Sequence, residues 1–233
     1  YHTGGIMFKD SLVVVILNTK FIRNKAVNYG GAISLEEVTN IMIIKTLFTN
    51  SICLCSYGAA LFASGTNISI SNSMFLYNIA RERIEGKEKE SRDTGAIFVQ
   101  NFEQATISKS FFVNNTANRS AGALYALDCT NILVIHSYFW LNKAAYGGVI
   151  YSYSKTNSRT VFVNSTFMQN TNVFYVEVHQ EKLMLYGSLE LFECIFQANL
   201  HKNIWVENVK DIHLKNCSFK SYISKVFPVL EVI

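Results

Sequence analysis

The amino-acid sequence predicts an all-β fold, a right-handed parallel β-helix (β-solenoid) of about eight coils with roughly 27 residues in each. Three observations support this prediction. A motif centred on phenylalanine recurs at nearly constant spacing, apolar and polar residues alternate between the motifs, and β-branched and aromatic residues dominate. Alternation of the kind seen in Ile68-Ser-Ile70 is typical of strands and not of helices. Three short strands and their turns would form one coil, and successive coils would stack about 4.8 Å apart.

The repeated motif consists of a small residue, a phenylalanine two positions later, and an asparagine three positions after that. Successive phenylalanines are separated by 27, 27, 37, 27, 28, 29 and 23 residues. A single coil cannot bury its apolar face, so coils stack and equivalent residues align along the axis. We therefore expect one internal aromatic row, formed by Phe21, Phe48, Phe75, Phe112, Phe139, Phe167, Phe196 and Phe219.

Two further internal rows are expected beside the phenylalanines. Side-chain amides can hydrogen-bond from one coil to the next, which favours an asparagine row within a turn. Its predicted members are Asn24, Asn50, Asn78, Asn115, Asn142, Asn170 and Asn199, of which Asn50 comes one residue early. The small residues of the other row are Thr19, Thr46, Ser73, Ser110, Ser137, Ser165, Cys194 and Cys217.

The phenylalanine–asparagine element is joined to a glycine segment, Gly30-Gly-Ala-Ile33, and this combination resembles the repeat of chlamydial polymorphic outer membrane proteins. Similar repeats look to be present in large surface proteins of ciliates and other protists. The resemblance covers about residues 3–200. It implies a pectin-lyase-like right-handed parallel β-helix and, for function, surface display, adhesion or a structural role.

One interval between phenylalanines is about ten residues longer than the others and contains the segment 81–93. Ten of its 13 residues are charged, in a chain with only 16% charged residues. We interpret residues 1–233 as a single β-helix segment of a longer chain and 81–93 as an inserted loop. The loop is either a solvated excursion or a contact loop that projects from the wall toward another chain.

The composition excludes several classes of function. The net charge of +4 is small and spread along the chain, which gives no nucleic-acid footprint. No apolar stretch approaches the roughly 18 residues of a membrane-spanning helix, and no motif predicts a cofactor. The expected partners are the remainder of a longer chain, protein partners or further copies bound through the solenoid faces and the 81–93 loop, and glycans.

An enzyme of the polysaccharide lyase or hydrolase class is the alternative that the fold raises. The best carboxylate pair is Asp10 with Glu37, because each lies eleven residues before its phenylalanine and the two would stack on adjacent coils. The same row continues through Ser64, Asn101 and Asp128, which is typical of a polar turn position. The histidines are scattered, so neither a metal site nor a catalytic triad is predicted.

Five N-glycosylation sequons begin at Asn67, Asn114, Asn118, Asn164 and Asn216. Asn164 and Asn216 share a register with lysine and histidine residues and should face solvent, whereas Asn67 is placed at a turn. Among the five cysteines, Cys194 and Cys217 are expected to be stacked free thiols. Cys53 and Cys55 would face the same side of a strand, which predicts no easy disulfide between them and leaves the redox compartment open.

We therefore expect a non-catalytic structural or adhesive module of an extracellular or cell-surface glycoprotein, acting as a spacer, a fibre component or an adhesion wall. A polysaccharide-active enzyme and an intracellular scaffold are the alternatives. Reduced cysteines and the absence of glycans would favour the scaffold.

Overall fold

The computed structural model describes residues 4–27, 29–54, 57–81, 93–154, 157–178, 187–200, 204–207, 209 and 211–220. Within these residues every regular element is a β-strand, and all pairings are parallel. The chain winds as a right-handed β-solenoid, so the predicted fold class is confirmed. We number the coils 1 to 8 by the phenylalanine that each contains, from Phe21 to Phe219; seven complete turns separate the first from the last.

Each coil contributes strands to walls I and II, which together form a 14-stranded sheet. Wall I contains β1 (Ile6–Lys9), the first halves of β5 (Ile33–Ile44) and β8 (Leu61–Ser71), β11 (Ile97–Gln100), β14 (Leu124–Leu127), β17 (Ile150–Ser154), β20 (Phe174–Val178) and β23 (Ile204–Glu207). Wall II contains β2 (Val13–Leu17), the second halves of β5 and β8, β12 (Gln104–Ser108), β15 (Asn131–Ile135), β18 (Ser158–Val163), β21 (Gly187–Phe192) and β24 (Asp211–Lys215).

Wall III is a separate eight-stranded sheet of three-residue strands, one from each coil. Its strands are β3 (Lys20–Ile22), β6 (Leu47–Thr49), β9 (Met74–Leu76), β13 (Phe111–Val113), β16 (Tyr138–Trp140), β19 (Thr166–Met168), β22 (Ile195–Gln197) and β25 (Ser218–Lys220). A short third sheet follows it, formed by β4 (Lys25–Ala26), β7 (Ile52–Cys53) and β10 (Ile79–Ala80).

The walls meet at corners where one residue per coil adopts a left-handed backbone conformation. At the second corner, between walls II and III, all eight coils carry such a residue: Asn18, Lys45, Asn72, Lys109, His136, Asn164, Glu193 and Asn216. At the third corner, after wall III, they are Arg23, Asn50, Tyr77, Asn114, Leu141, Gln169 and Ala198. Because non-glycine residues rarely adopt this conformation, its repetition shows that stacking of the coils dictates the local backbone.

The eight phenylalanines of the predicted row form one continuous stack, whose rings are buried from Phe21 to Phe196, whereas the last ring, Phe219, is 45% exposed. Adjacent ring centroids lie 4.5–5.3 Å apart, and the ring planes differ by 4–24°. The rings pack against apolar inward residues of walls I and II, such as Leu61 and Ile70. Serine hydroxyls of the small-residue row link the coils: Ser110 Oγ, for example, accepts the N–H of Ser73 at 3.2 Å and donates to the carbonyl of Ser108 at 2.8 Å.

The asparagine row runs through coils 3 to 7 beside the phenylalanines. Asn115 shows its repeating geometry: Nδ2 donates to Asn142 Oδ1 at 3.0 Å and to the Phe75 carbonyl at 2.8 Å. Its Oδ1 accepts the side-chain and backbone N–H groups of Asn78 at 2.9 and 3.2 Å. Both asparagines are fully buried, so the hydrogen bonds satisfy amides that water cannot reach.

Coil 2 departs from this row, and the prediction that Asn50 belongs to it is wrong. Asn50 is exposed and lies at the third corner with φ 56°, whereas buried Ser51 occupies the row position. The backbone N–H of Ser51 donates to Asn78 Oδ1 at 3.0 Å, as an asparagine would. The shorter serine side chain leaves its own Oγ buried without a hydrogen-bond partner. A motif one residue short therefore changes the row residue and leaves the backbone register unchanged.

The glycine segments place two coils in close backbone contact. A Cβ atom at Gly31 would collide with the carbonyl oxygen of Ala59 on the next coil. Glycine is needed here because the backbones approach too closely for any side chain.

Candidate interaction surface

The carboxylates proposed for catalysis lie at the first corner, between walls I and II. Asp10 and Glu37 occupy adjacent coils, and both are exposed with left-handed φ angles of 51° and 55°. Asn101 and Asp128 adopt the same conformation further along the row. Short polar side chains favour such turns, which gives the row a structural explanation. In the part of the chain that the structure describes, no group of three or more histidine, cysteine or acidic residues could hold a metal ion.

The sequon asparagines lie at several positions on the surface. Asn164 and Asn216 are exposed at the second corner, as their register predicts. Asn67 is exposed within β8 on the outer face of wall II, not at a turn, and its Nδ2 donates to Asn40 Oδ1 at 3.1 Å. Asn118 is exposed and Asn114 half-buried. No sequon asparagine lies in the buried row.

The cysteines differ in chemical state. Cys53 is buried and disulfide-bonded. Cys55, the residue with which no easy bridge was expected, lies outside the described residues. Cys129, Cys194 and Cys217 are free. Burial raises the pKa of the Cys129 and Cys194 thiols to about 12, which keeps both protonated and poorly nucleophilic at neutral pH.

The end of the inserted segment is built into the solenoid. Asp93 is fully buried, and its carboxylate accepts the backbone N–H groups of Asn118, Arg119 and Ser120 at 2.7–3.0 Å. These bonds fix the chain where it rejoins wall I, so Asp93 is not part of a solvated loop. Residues 82–92 lie outside the described part of the chain.

The outer face of wall I carries a second aromatic row. Phe62, Phe98, Tyr125, Tyr151 and Tyr175 stack with centroids 4.7–5.5 Å apart. Loop tyrosines cover it: Tyr57 packs edge-on against Phe98 at 5.0 Å, and Tyr146 against Tyr175 at 5.4 Å. Phe62, Phe98 and Tyr125 are buried as a result. In coils 3 to 5 this face is therefore a small second core.

The outer face of wall III, in contrast, has no such cover from the residues that the structure describes. We define the outer strip as its outward residues in coils 2 to 7: Leu47, Thr49, Met74, Leu76, Phe111, Val113, Tyr138, Trp140, Thr166, Met168, Ile195 and Gln197. Met74, Phe111 and Ile195 are 41–46% exposed, and the remaining apolar members are half-buried. None of the twelve is charged. The outer strip is therefore the candidate interaction surface on this wall.

Sequence reasoning missed the outer strip, although a signal was present. In a half-buried strand the neighbours of a buried residue are normally polar. Here Phe112 lies between Phe111 and Val113, and Phe139 between Tyr138 and Trp140. Apolar residues on both sides of a buried phenylalanine indicate that the outer face is also apolar.

No protein-family model matches the chain, and neither a curated protein nor a solved structure matches it. Across the described residues there is no helix with the length and apolarity that a membrane crossing needs.

Proposed function

We propose that the chain is a non-catalytic structural or adhesive β-solenoid module of an extracellular or cell-surface glycoprotein. The observation that carries this proposal is the position of the sequons: Asn67, Asn118, Asn164 and Asn216 have exposed side chains outside the buried rows. Attached sugars at these positions would extend into solvent without disturbing the core. The resemblance of the repeat to chlamydial polymorphic outer membrane proteins, with their pectin-lyase-like β-helix, also supports surface display.

Two further features support this proposal. The disulfide at Cys53 fits an oxidising compartment, where such bonds persist. The phenylalanine stack and the asparagine row link successive coils by ring contacts and hydrogen bonds. Linkage of this kind resists bending between coils, as a spacer or an adhesion wall requires.

The test is glycopeptide mass analysis of the natively isolated protein. We expect sugars on Asn164, Asn216 and Asn67, and a disulfide that includes Cys53. In recombinant secreted protein, Asn164→Gln and Thr166→Ala should remove the same glycan, because each destroys the same sequon. Thr166→Ser, which retains the sequon, is the matched control. Bare sequons together with a reduced Cys53 in native material would contradict the proposal and favour an intracellular scaffold.

A further inference from the structure

The polar atoms of the two large aromatic residues of the outer strip, Trp140 and Tyr138, are directed toward neighbouring side chains. Trp140 Nε1 donates to Gln169 Oε1 at 2.7 Å, and the Tyr138 hydroxyl donates to Met168 Sδ at 3.8 Å. Tyr138 also packs against Phe111, with ring centroids 6.1 Å apart. A glycan needs hydrogen-bonding groups that face outward, so the strip is better suited to an apolar protein surface than to a sugar.

The geometry of the strip is complementary to a second wall of the same kind. Each strand of wall III contributes one rung, its two outward residues, and successive rungs are one strand spacing apart, about 4.8 Å. Two sheets that pack face to face lie about 10 Å apart with aligned strands. A second copy presents rungs at the same pitch over the same length. The twelve residues of the strip carry no charge, although the chain as a whole is net positive.

We propose that two copies of this chain pair through their outer strips, with antiparallel solenoid axes and a two-fold axis between coils 4 and 5. In this arrangement coil 4 faces coil 5 of the second copy, coil 3 faces coil 6, and coil 2 faces coil 7. Phe111 then lies opposite Tyr138, and Leu47 opposite Ile195. The polar residues Thr49 and Gln197 also face each other.

The border of the strip supports the antiparallel register. Lys45 in coil 2 and Glu193 in coil 7 are both exposed at the second corner. Two-fold pairing about coils 4 and 5 places Lys45 of each copy opposite Glu193 of the other, so opposite charges flank the apolar strip at both ends. At the middle of the same border, exposed Lys109 lies opposite exposed His136. In a parallel arrangement each second corner would face a third corner, and Lys45 would lie opposite Asn50.

The size of the strip sets the strength of the pairing. Six rungs and two outward positions per rung cover roughly 350 Å². This is less than half of the roughly 800 Å² per partner that stable interfaces bury. We expect weak, concentration-dependent pairing in solution. If the chain is displayed on a surface, as the proposed function holds, neighbouring copies gain from their high local concentration.

Sedimentation velocity of the parent chain tests the pairing at protein concentrations from roughly 10 µM to 1 mM. The chain is measured in its native glycosylated form and after enzymatic removal of the sugars. We expect the weight-average mass of the deglycosylated form to rise toward that of a dimer as the protein concentration increases. The double variant Phe111→Lys/Tyr138→Lys should weaken pairing by roughly a hundredfold, because like charges then meet at the interface centre. Thr106→Lys/Leu133→Lys, which places the same charges on the outer face of wall II in the same coils, should pair like the parent.

Charge reversal at the border tests the register with variants that leave the core intact. Lys45→Glu alone should weaken pairing, and Lys45→Glu/Glu193→Lys should restore it. A parent that stays monomeric throughout, or a strip variant that pairs as well as the wall II variant, would overturn the proposal. Failure of the double reversal to restore pairing would overturn the antiparallel arrangement. Pairing is scored on the deglycosylated form, whether or not the sequons were occupied, so this inference and the proposed function can fail separately.

Discussion

The phenylalanine row and the asparagine row run side by side through the solenoid, but they differ in continuity. The phenylalanine stack passes through all eight coils, including coil 2. The asparagine row is interrupted in coil 2, where Ser51 replaces an asparagine. Each ring gains from the apolar area that it buries, so its contribution is largely its own. Each amide depends on donors and acceptors in both neighbouring coils, so a change in one coil affects three.

The largest expected effect is in the phenylalanine row. Phe139→Ala removes a fully buried ring from the middle of the stack, and we expect the free energy of unfolding to fall by about 3–5 kcal/mol. Urea unfolding followed by circular dichroism measures the change. Tyr138→Ala, on the outer face of the same strand, is the control and should cost less than half as much. Equal losses in the free energy of unfolding would show that the buried ring contributes no more to stability than the outward-facing ring.

A smaller loss is expected in the asparagine row. Asn142 donates to Asn170 Oδ1 and the Phe112 carbonyl, and it accepts two N–H groups from Asn115. Asn142→Ala leaves these buried groups unpaired, which should lower the free energy of unfolding by about 3 kcal/mol. Asn142→Ser imitates coil 2 and should cost less. A neutral Asn142→Ala would mean that the row contributes nothing to stability.

Repair of the interruption gives the next effect in size. Ser51→Asn supplies a second donor that can reach Asn78 Oδ1 and removes the unpaired hydroxyl. We expect stabilisation by about 1 kcal/mol, measured in the same unfolding experiment. Asn50→Asp, which keeps a residue that tolerates the left-handed conformation of the neighbouring exposed corner, should change stability by less than about 0.5 kcal/mol. A large loss of stability at Asn50 with no gain at Ser51 would indicate that Asn50, and not Ser51, belongs to the asparagine row.

The smallest effect concerns a buried hydroxyl outside both rows. Thr160 Oγ1 is the other buried side-chain oxygen without a hydrogen-bond partner among the described residues, on the inner face of wall II. Thr160→Val removes this hydroxyl and keeps the side-chain shape, so we expect a gain of up to about 1 kcal/mol. Thr106→Val, on the outer face, should be neutral. A loss at Thr160 would indicate that its hydroxyl is satisfied.

The sequence determined much of the inside of this protein. Parallel stacking forces equivalent residues into contact, so the recurrence of phenylalanine alone was enough to predict the aromatic stack. The left-handed corners could have been recognised only in part. Asparagine and aspartate at corner positions are typical of such turns, but Leu141 and Tyr77 adopt the same conformation because the neighbouring coils impose it.

The tertiary structure decided what faces outward. Whether an outward residue is covered depends on loops from other coils, and sequence periodicity carries no record of them. Phe98 on wall I is buried beneath Tyr57 from a loop of the preceding coil, whereas Phe111 on wall III is exposed, although each directly adjoins an inward-facing residue. The burial of Asp93 likewise depends on three N–H groups about 26 residues away in sequence. Periodicity fixes which face of a strand a residue occupies, and only the packing of the loops fixes whether that face meets solvent.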